Sequence, residues 1–150
     1  MTVEEAINAR RSVRRYKDEP VDLEDISKLV EVGLKVPSAG GIRPLRIHLI
    51  LDEDKKEELC KAALNQECVR SARVCLVITA DPTRMIAKYH GRGHRYIAME
   101  AGHAGQNISL MAVSLGLGCV MIGAFHDHEV KRVMGLEGED PLYIIPVGKV

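Results

Sequence analysis

Apolar positions along the chain switch between helical and strand spacing several times, and the switches divide it into elements. Thr2 followed by Glu5 has the form of a capping box, which starts a short helix from Val3 to about Arg10. Leu23, Ile26, Leu29, Val30 and Leu34 recur at helical spacing behind Asp22, a good N-cap, and predict a second helix that ends near Val36, before Pro37. Arg46 to Leu51 alternates, with Ile47, Leu49 and Leu51 on one face, and predicts a strand. Asp52 caps a charged helix from Glu53 to about Ala63 that buries Leu59 and Cys60, and Leu64 to Ser71 reads as irregular. Arg73 to Thr79 is almost continuously apolar, as a strand covered on both faces should be.

The second half follows the same logic. Asp81-Pro82 opens a helix, with proline at its first position, and His90 to His94 breaks it at two glycines. Tyr96 to Leu115 carries the longest helical stripe: Ile97, Ala101, Ala104, Ile108, Met111, Ala112 and Leu115. Its first half is narrow, with Ala101, Gly102, Ala104 and Gly105, which suits a central helix or one paired across a dimer axis. Cys119 to Ile122 predicts a short strand. Asp127 caps a helix closed by Gly135, and Leu142 to Val147 forms a last strand that Pro146 either places at a sheet edge or ends early. About four strands and about five helices in this mixed order define an α+β fold, with helices packed on a mostly antiparallel sheet.

At 150 residues the chain is long enough for a substantial core and fits a single domain spanning residues 1–150. Its 21 basic and 21 acidic residues cancel, which argues against a general grip on nucleic acid or on an anionic membrane. No apolar run reaches the length of a membrane span, and the N-terminus has no signal-peptide pattern, so the cytoplasm is the expected location. Cys60, Cys68, Cys75 and Cys119 lack paired-ligand spacing, and His90 and His94 flank two glycines without a third ligand, so no metal site is expected.

Against that balanced background, Arg10, Arg11, Ser12 and Arg14 stand out as a local cluster of anion donors. Guanidinium forks match phosphate oxygens two at a time, and a serine hydroxyl adds an adjustable donor. Pro37-Ser38-Ala39-Gly40-Gly41 is a small-residue loop that lets a ligand approach the backbone closely.

Four stretches in order, RRSVRRY at 10–16, PSAGGIRP at 37–44, EAGHAGQNISLMAVSLGLG at 100–118 and MIGAF at 121–125, together with the closing LYIIPVGK at 142–149, resemble the FMN-dependent nitroreductase family over nearly the whole chain. The resemblance implies a nitroreductase-like homodimer with FMN at the subunit interface. It places Arg10 and Ser12 at the FMN phosphate, Arg11 near the ribityl chain and Arg14 near the pyrimidine edge, with Asn65 as a further pyrimidine contact. It assigns Pro37, Ser38, Ala39 and Gly40 to the segment that the other subunit lays along the ring, and Met121, Ile122 and Gly123 to the backbone facing flavin N5. It implies no catalytic acid or base, because the flavin carries the redox work: hydride from NAD(P)H, then reduction of a small electron acceptor such as a nitroaromatic or quinone, in a ping-pong cycle. Dehalogenation or flavin fragmentation with reduced FMN, and flavin binding without turnover, are the alternatives. Gly41 and Arg43 stand where relatives often carry Asn and Gln. The sequence ends at Val150, where many relatives continue with a basic segment, so either the three arginines at 10–14, with Lys149 as a remaining cation, carry more of the phosphate load or FMN binding is weakened.

Overall fold

The computed structural model describes residues 1–150. The N-terminal helix α1 (Val3–Ala9) opens with the expected box: the Glu5 N–H donates to Thr2 Oγ1 at 3.2 Å and the Thr2 N–H to Glu5 Oε2 at 2.6 Å. It is followed by α2 (Leu23–Leu34), a 3-10 turn (Ala39–Gly41), β1 (Leu45–Ile50), α3 (Glu53–Ala62), α4 (Glu67–Ser71), β2 (Val74–Ala80), α5 (Thr83–Tyr89), α6 (Arg92–Ser114), β3 (Leu117–Cys119), α7 (Asp127–Met134) and β4 (Asp140–Lys149).

The four strands make one sheet in the order β1-β2-β4-β3, antiparallel throughout. Strand β2 is buried along its whole length because helices cover both faces. Cys75 and Val77 point into a core shared with α3, α4 and α7. Val74, Leu76 and Ile78 point the other way, into a core shared with α2 and α6. The helical stripe of α6 is real: Ile97, Ala101, Ala104, Ile108 and Ala112 are all buried. All four cysteines are buried and unpaired.

Several expectations are corrected. Residues 64–71 are not wholly irregular, since α4 occupies their second half. The break at His90–His94 shrinks to His90 and Gly91, and α6 starts at Arg92. Gly93 is a packing requirement rather than a helix breaker: a Cβ there would lie 2.9 Å from the Met85 carbonyl oxygen. Asp127 is the first helical residue of α7, not its cap. On β1, Ile50 is buried while Leu49 and Leu51 are exposed, which reverses the expected inner face at that end. The strand at 119–122 ends at Cys119, and Ile122 makes a separate bridge to Ile144.

Strand β4 is central, not an edge. It tolerates Pro146 because β3 pairing stops at Val147, so the missing N–H has no partner to lose. The Pro146 carbonyl instead lies 3.3 Å from the Tyr16 hydroxyl.

Candidate active site

The basic segment after α1 is drawn into the sheet. Ser12 bridges Cys119 in parallel, the Val13 N–H donates to the Cys119 carbonyl at 2.9 Å, and the Lys17 N–H donates to the Lys149 carbonyl at 2.9 Å. Two glycines paired across β3 and β4, Gly118 and Gly148, make room for it. A Cβ on Gly148 would lie 2.7 Å from Tyr16 Cβ and Cγ, and one on Gly118 would lie 2.8 Å from Val13 Cβ. Tyr16 is thereby pressed against the sheet, and its hydroxyl donates to the Val13 carbonyl at 2.6 Å. Burial pushes the phenol well above its ordinary range, so Tyr16 stays a neutral donor.

Val13 is buried and Tyr16 half-buried, while the residues on either side of each are exposed. Arg11, Ser12, Arg14, Arg15 and Lys17 surround a groove of about 430 Å³ closed by Val150. Of the residues singled out in the sequence, Arg11, Ser12 and Arg14 therefore line one cavity. Arg10 sits half-buried at the C-cap of α1, close enough to Cys119 to draw its thiol down against the larger upward effect of burial. Lys149 offers its backbone to Lys17, and the groove is bounded instead by the next residue. Arg15 and Lys17 are cations of the groove that the sequence motif did not single out; their place on either side of the aromatic Tyr16 was the available signal.

Met121, Ile122 and Gly123 run between α6 and β4. Met121 packs against Gly105, and Ile122 exchanges two backbone bonds with Ile144 at 2.8 and 3.0 Å. Gly123 is exposed beside Tyr143. Gln66 pins this segment from below: its amide donates to the Ala63 and Ala124 carbonyls, both at 2.9 Å.

Pro37, Ser38 and Ala39 line a second, separate cleft of about 320 Å³ with Tyr96, Met99, Glu100 and His103 of α6. Glu100 is 4% exposed and holds this loop: it accepts from the Ala39 N–H at 2.7 Å and from the Ser38 hydroxyl at 3.1 Å. Glu100 was not singled out from the sequence, although an acid three residues after Ile97 and four before Ala104 sits on the apolar stripe and had to be paired inside. Gly40 has φ +61°, and the tips of Lys88 and Tyr89 lie over its α-carbon. Arg43 does not face the cleft's interior chemistry. Its guanidinium donates to the Val36 and Leu34 carbonyls at 3.3 and 3.4 Å, beside Asn107, which donates to the Val32 and Lys35 carbonyls. The groove of Arg11–Lys17 and the cleft of Pro37–Ala39 share no residue within one chain.

A sheet covered by helices on both faces, with a basic groove at one corner and a glycine-rich loop clamped by a buried acid at another, defines an α+β protein with two separate clefts. The sequence model of the Nitroreductase family matches residues 7–67 and 57–149, and the chain belongs to that family. A Methanocaldococcus jannaschii protein named as a nitroreductase is 37% identical, with 98% of this chain and 90% of the relative covered. That comparison runs over 180 positions, so the relative carries residues inside the matched span that this chain of 150 lacks. The two family matches overlap around residues 57–67, where the chain turns through Leu64 and Asn65, both at positive φ. Among solved structures, a Parabacteroides distasonis protein named as an NADH dehydrogenase/NAD(P)H nitroreductase superposes with a TM-score of 0.86 at 28% identity, covering 97% of this chain and 85% of that one. The NADPH:FMN oxidoreductase of Vibrio harveyi complexed with NAD+ superposes with a TM-score of 0.88 at 29% identity, covering 98% and 68%. No helix is long and apolar enough to cross a membrane.

Proposed function

We propose that this chain is one FMN-binding domain of a homodimeric oxidoreductase that takes hydride from NAD(P)H and reduces nitroaromatic, quinone or similar acceptors. The observation that carries the reading is the groove of Arg11, Ser12, Arg14, Arg15 and Lys17, held on a buried frame of Val13 and Tyr16. Its donor set fits a phosphate ester: planar guanidinium forks, a hydroxyl and an ammonium, with no acidic side chain among the lining residues.

In this reading Ser12 and Arg10 hold the phosphate, Arg11 lies along the ribityl chain, and Arg14 meets the pyrimidine edge. Met121, Ile122 and Gly123 present backbone to the ring, and the partner subunit contributes its Pro37–Gly40 loop. Bound FMN supplies the redox chemistry. The fixed charge of Arg14 stabilises the negative charge that reduction places at the pyrimidine edge, where an orienting cation is worth most in a water-poor site. No side chain is needed as acid or base. The face of α6 around Gly102, where a Cβ would meet nothing within 4 Å, is the surface that the second subunit covers. Four unpaired thiols favour a reducing, cytoplasmic setting.

The test is the visible spectrum of the purified protein before and after anaerobic addition of NADPH or NADH. A yellow protein that bleaches supports the reading, and a colourless protein that ignores added FMN refutes it.

A further inference from the structure

The corner where α5 meets α6 is a second basic surface, separate from the groove. Arg84, Lys88, His90, Arg92, His94 and Arg95 are all exposed. No Asp or Glu occurs from Pro82 through Met99, in a chain whose net charge is zero. Arg84, Lys88, Arg92 and Arg95 enter none of the ion pairs that engage cations elsewhere, such as Lys56 with Glu53, Arg132 with Glu129 or Arg46 with Glu139. A patch of like charge left unpaired is costly to the fold through self-repulsion and calls for an anionic occupant.

Its position says which anion. Lys88 Nζ lies where a Cβ on Gly40 would be only 2.7 Å away, so the patch touches the Pro37–Gly40 loop. Lys88 Nζ is also 5.4 Å from the centre of the Tyr89 ring, which meets Tyr96 edge-on at 5.1 Å. Tyr96 lines the cleft with Pro37, Ser38 and Met99. The cations continue that cleft along α6. Arg92 stands four residues before Tyr96, and Arg95 four before Met99, so each is stacked on a cleft residue one helical turn further out, about 5.4 Å along the axis. The cleft thus leads over a tyrosine pair onto exposed cations. That sequence matches a molecule with a ring at one end and phosphates further along.

Building on the function proposed above, we infer that the α5–α6 corner docks the phosphates of the pyridine dinucleotide donor, and that Arg84, Lys88 and Arg92 favour its 2′-phosphorylated form. A flexible point charge and two guanidinium forks suit a terminal phosphate dianion better than a ribose hydroxyl.

The experiment compares the FMN-loaded protein with the triple variant Arg84→Ala/Lys88→Ala/Arg92→Ala, and with Lys28→Ala as a control for an exposed cation elsewhere. Calorimetric titration with adenosine 2′,5′-bisphosphate and with 5′-AMP reads docking without turnover. The native protein and the control should bind the bisphosphate about tenfold more tightly than AMP, and the triple variant should lose that margin. The KM for NADPH should rise by at least about tenfold in the triple variant, and more than the KM for NADH. Equal bisphosphate affinity in native and triple variant, or an equal loss in the control, overturns the inference. A colourless protein that still binds the bisphosphate through these residues would sustain the docking site while sinking the flavin reading. A yellow protein whose native and triple variant forms bleach at the same NADPH concentrations would do the reverse.

Discussion

Tyr16 and Gly148 show how much of the groove depends on single atoms. The ring needs the space that a hydrogen leaves on Gly148, and the hydroxyl needs the Val13 carbonyl at 2.6 Å. Gly148→Ala should therefore lift the ring from the sheet and cost about 1–3 kcal/mol by overpacking. Urea denaturation reads the loss, and an unchanged midpoint would refute the seat described for Tyr16. Glu100 is the corresponding residue at the cleft. Glu100→Ala leaves the Ala39 N–H without its partner, at a cost of about 1–3 kcal/mol. Thermal unfolding should record a Tm lower by about 2–4 °C for each kcal/mol lost in a chain of this size. Arg43 carries the lesson of this scale. In the motif it stands where relatives often carry a different polar residue, yet its guanidinium donates to the Leu34 and Val36 carbonyls at the end of α2, from a left-handed backbone (φ +54°) that no spacing rule reveals.

Among elements, the end of the sheet opposite the groove is stapled by one carboxylate. Glu139, just ahead of β4, accepts from the Thr79 hydroxyl of β2 at 2.6 Å and pairs with His48 at 3.0 Å and Arg46 at 3.4 Å, both on β1. Burial alone would raise its carboxyl, but the Thr79 and His48 hydrogen bonds and the charge of Arg46 outweigh it and hold the group below its usual range. A depressed carboxyl stabilises the fold fully above the ordinary value of about 4.3 and loses that contribution as pH falls through the lower folded value. The stability gap between the native protein and Glu139→Gln should accordingly be larger at pH 7 than at pH 3. A gap of constant size in urea midpoints across that range would contradict the staple.

The same scale separates what was legible from what was not. Capping boxes, apolar stripes and the β-branched run of β2 are local signals, and they placed α1, α2, α3, β2 and the body of α6. The misplacement of β4 at an edge had a non-local cause: Pro146 is tolerated because β3, well before it in the chain, stops pairing at Val147 and asks for no N–H at 146. Helix α4 is too short, at five residues, to display a period, and Gly93 reads as a breaker until the Met85 carbonyl beneath it is seen. In the candidate site, the arginine motif was legible as chemistry, but its arrangement around Val13 and Tyr16 needed the bridge to Cys119 to become a groove.

At the scale of the whole molecule, the separation of the two halves becomes a prediction. One chain carries a basic groove and a clamped loop that share no residue, and the proposed function joins them only across a dimer. Two defective variants can test this directly. Arg14→Ala damages the groove and leaves the loop intact. Gly40→Val damages the loop, because its α-carbon sits at φ +61° beneath Lys88 and Tyr89, and leaves the groove intact. If each site takes its groove from one subunit and its loop from the other, a mixed dimer has one site with both defects and one with neither. Random pairing of equal amounts makes half of the dimers mixed, so co-expression should restore about a quarter of native turnover, well above either parent. A site contained within one chain offers no such rescue, since every chain then carries a defect. Turnover of the co-expressed mixture at the mean of the two parents, with mixed dimers verified by differential tagging, would refute a site shared between subunits.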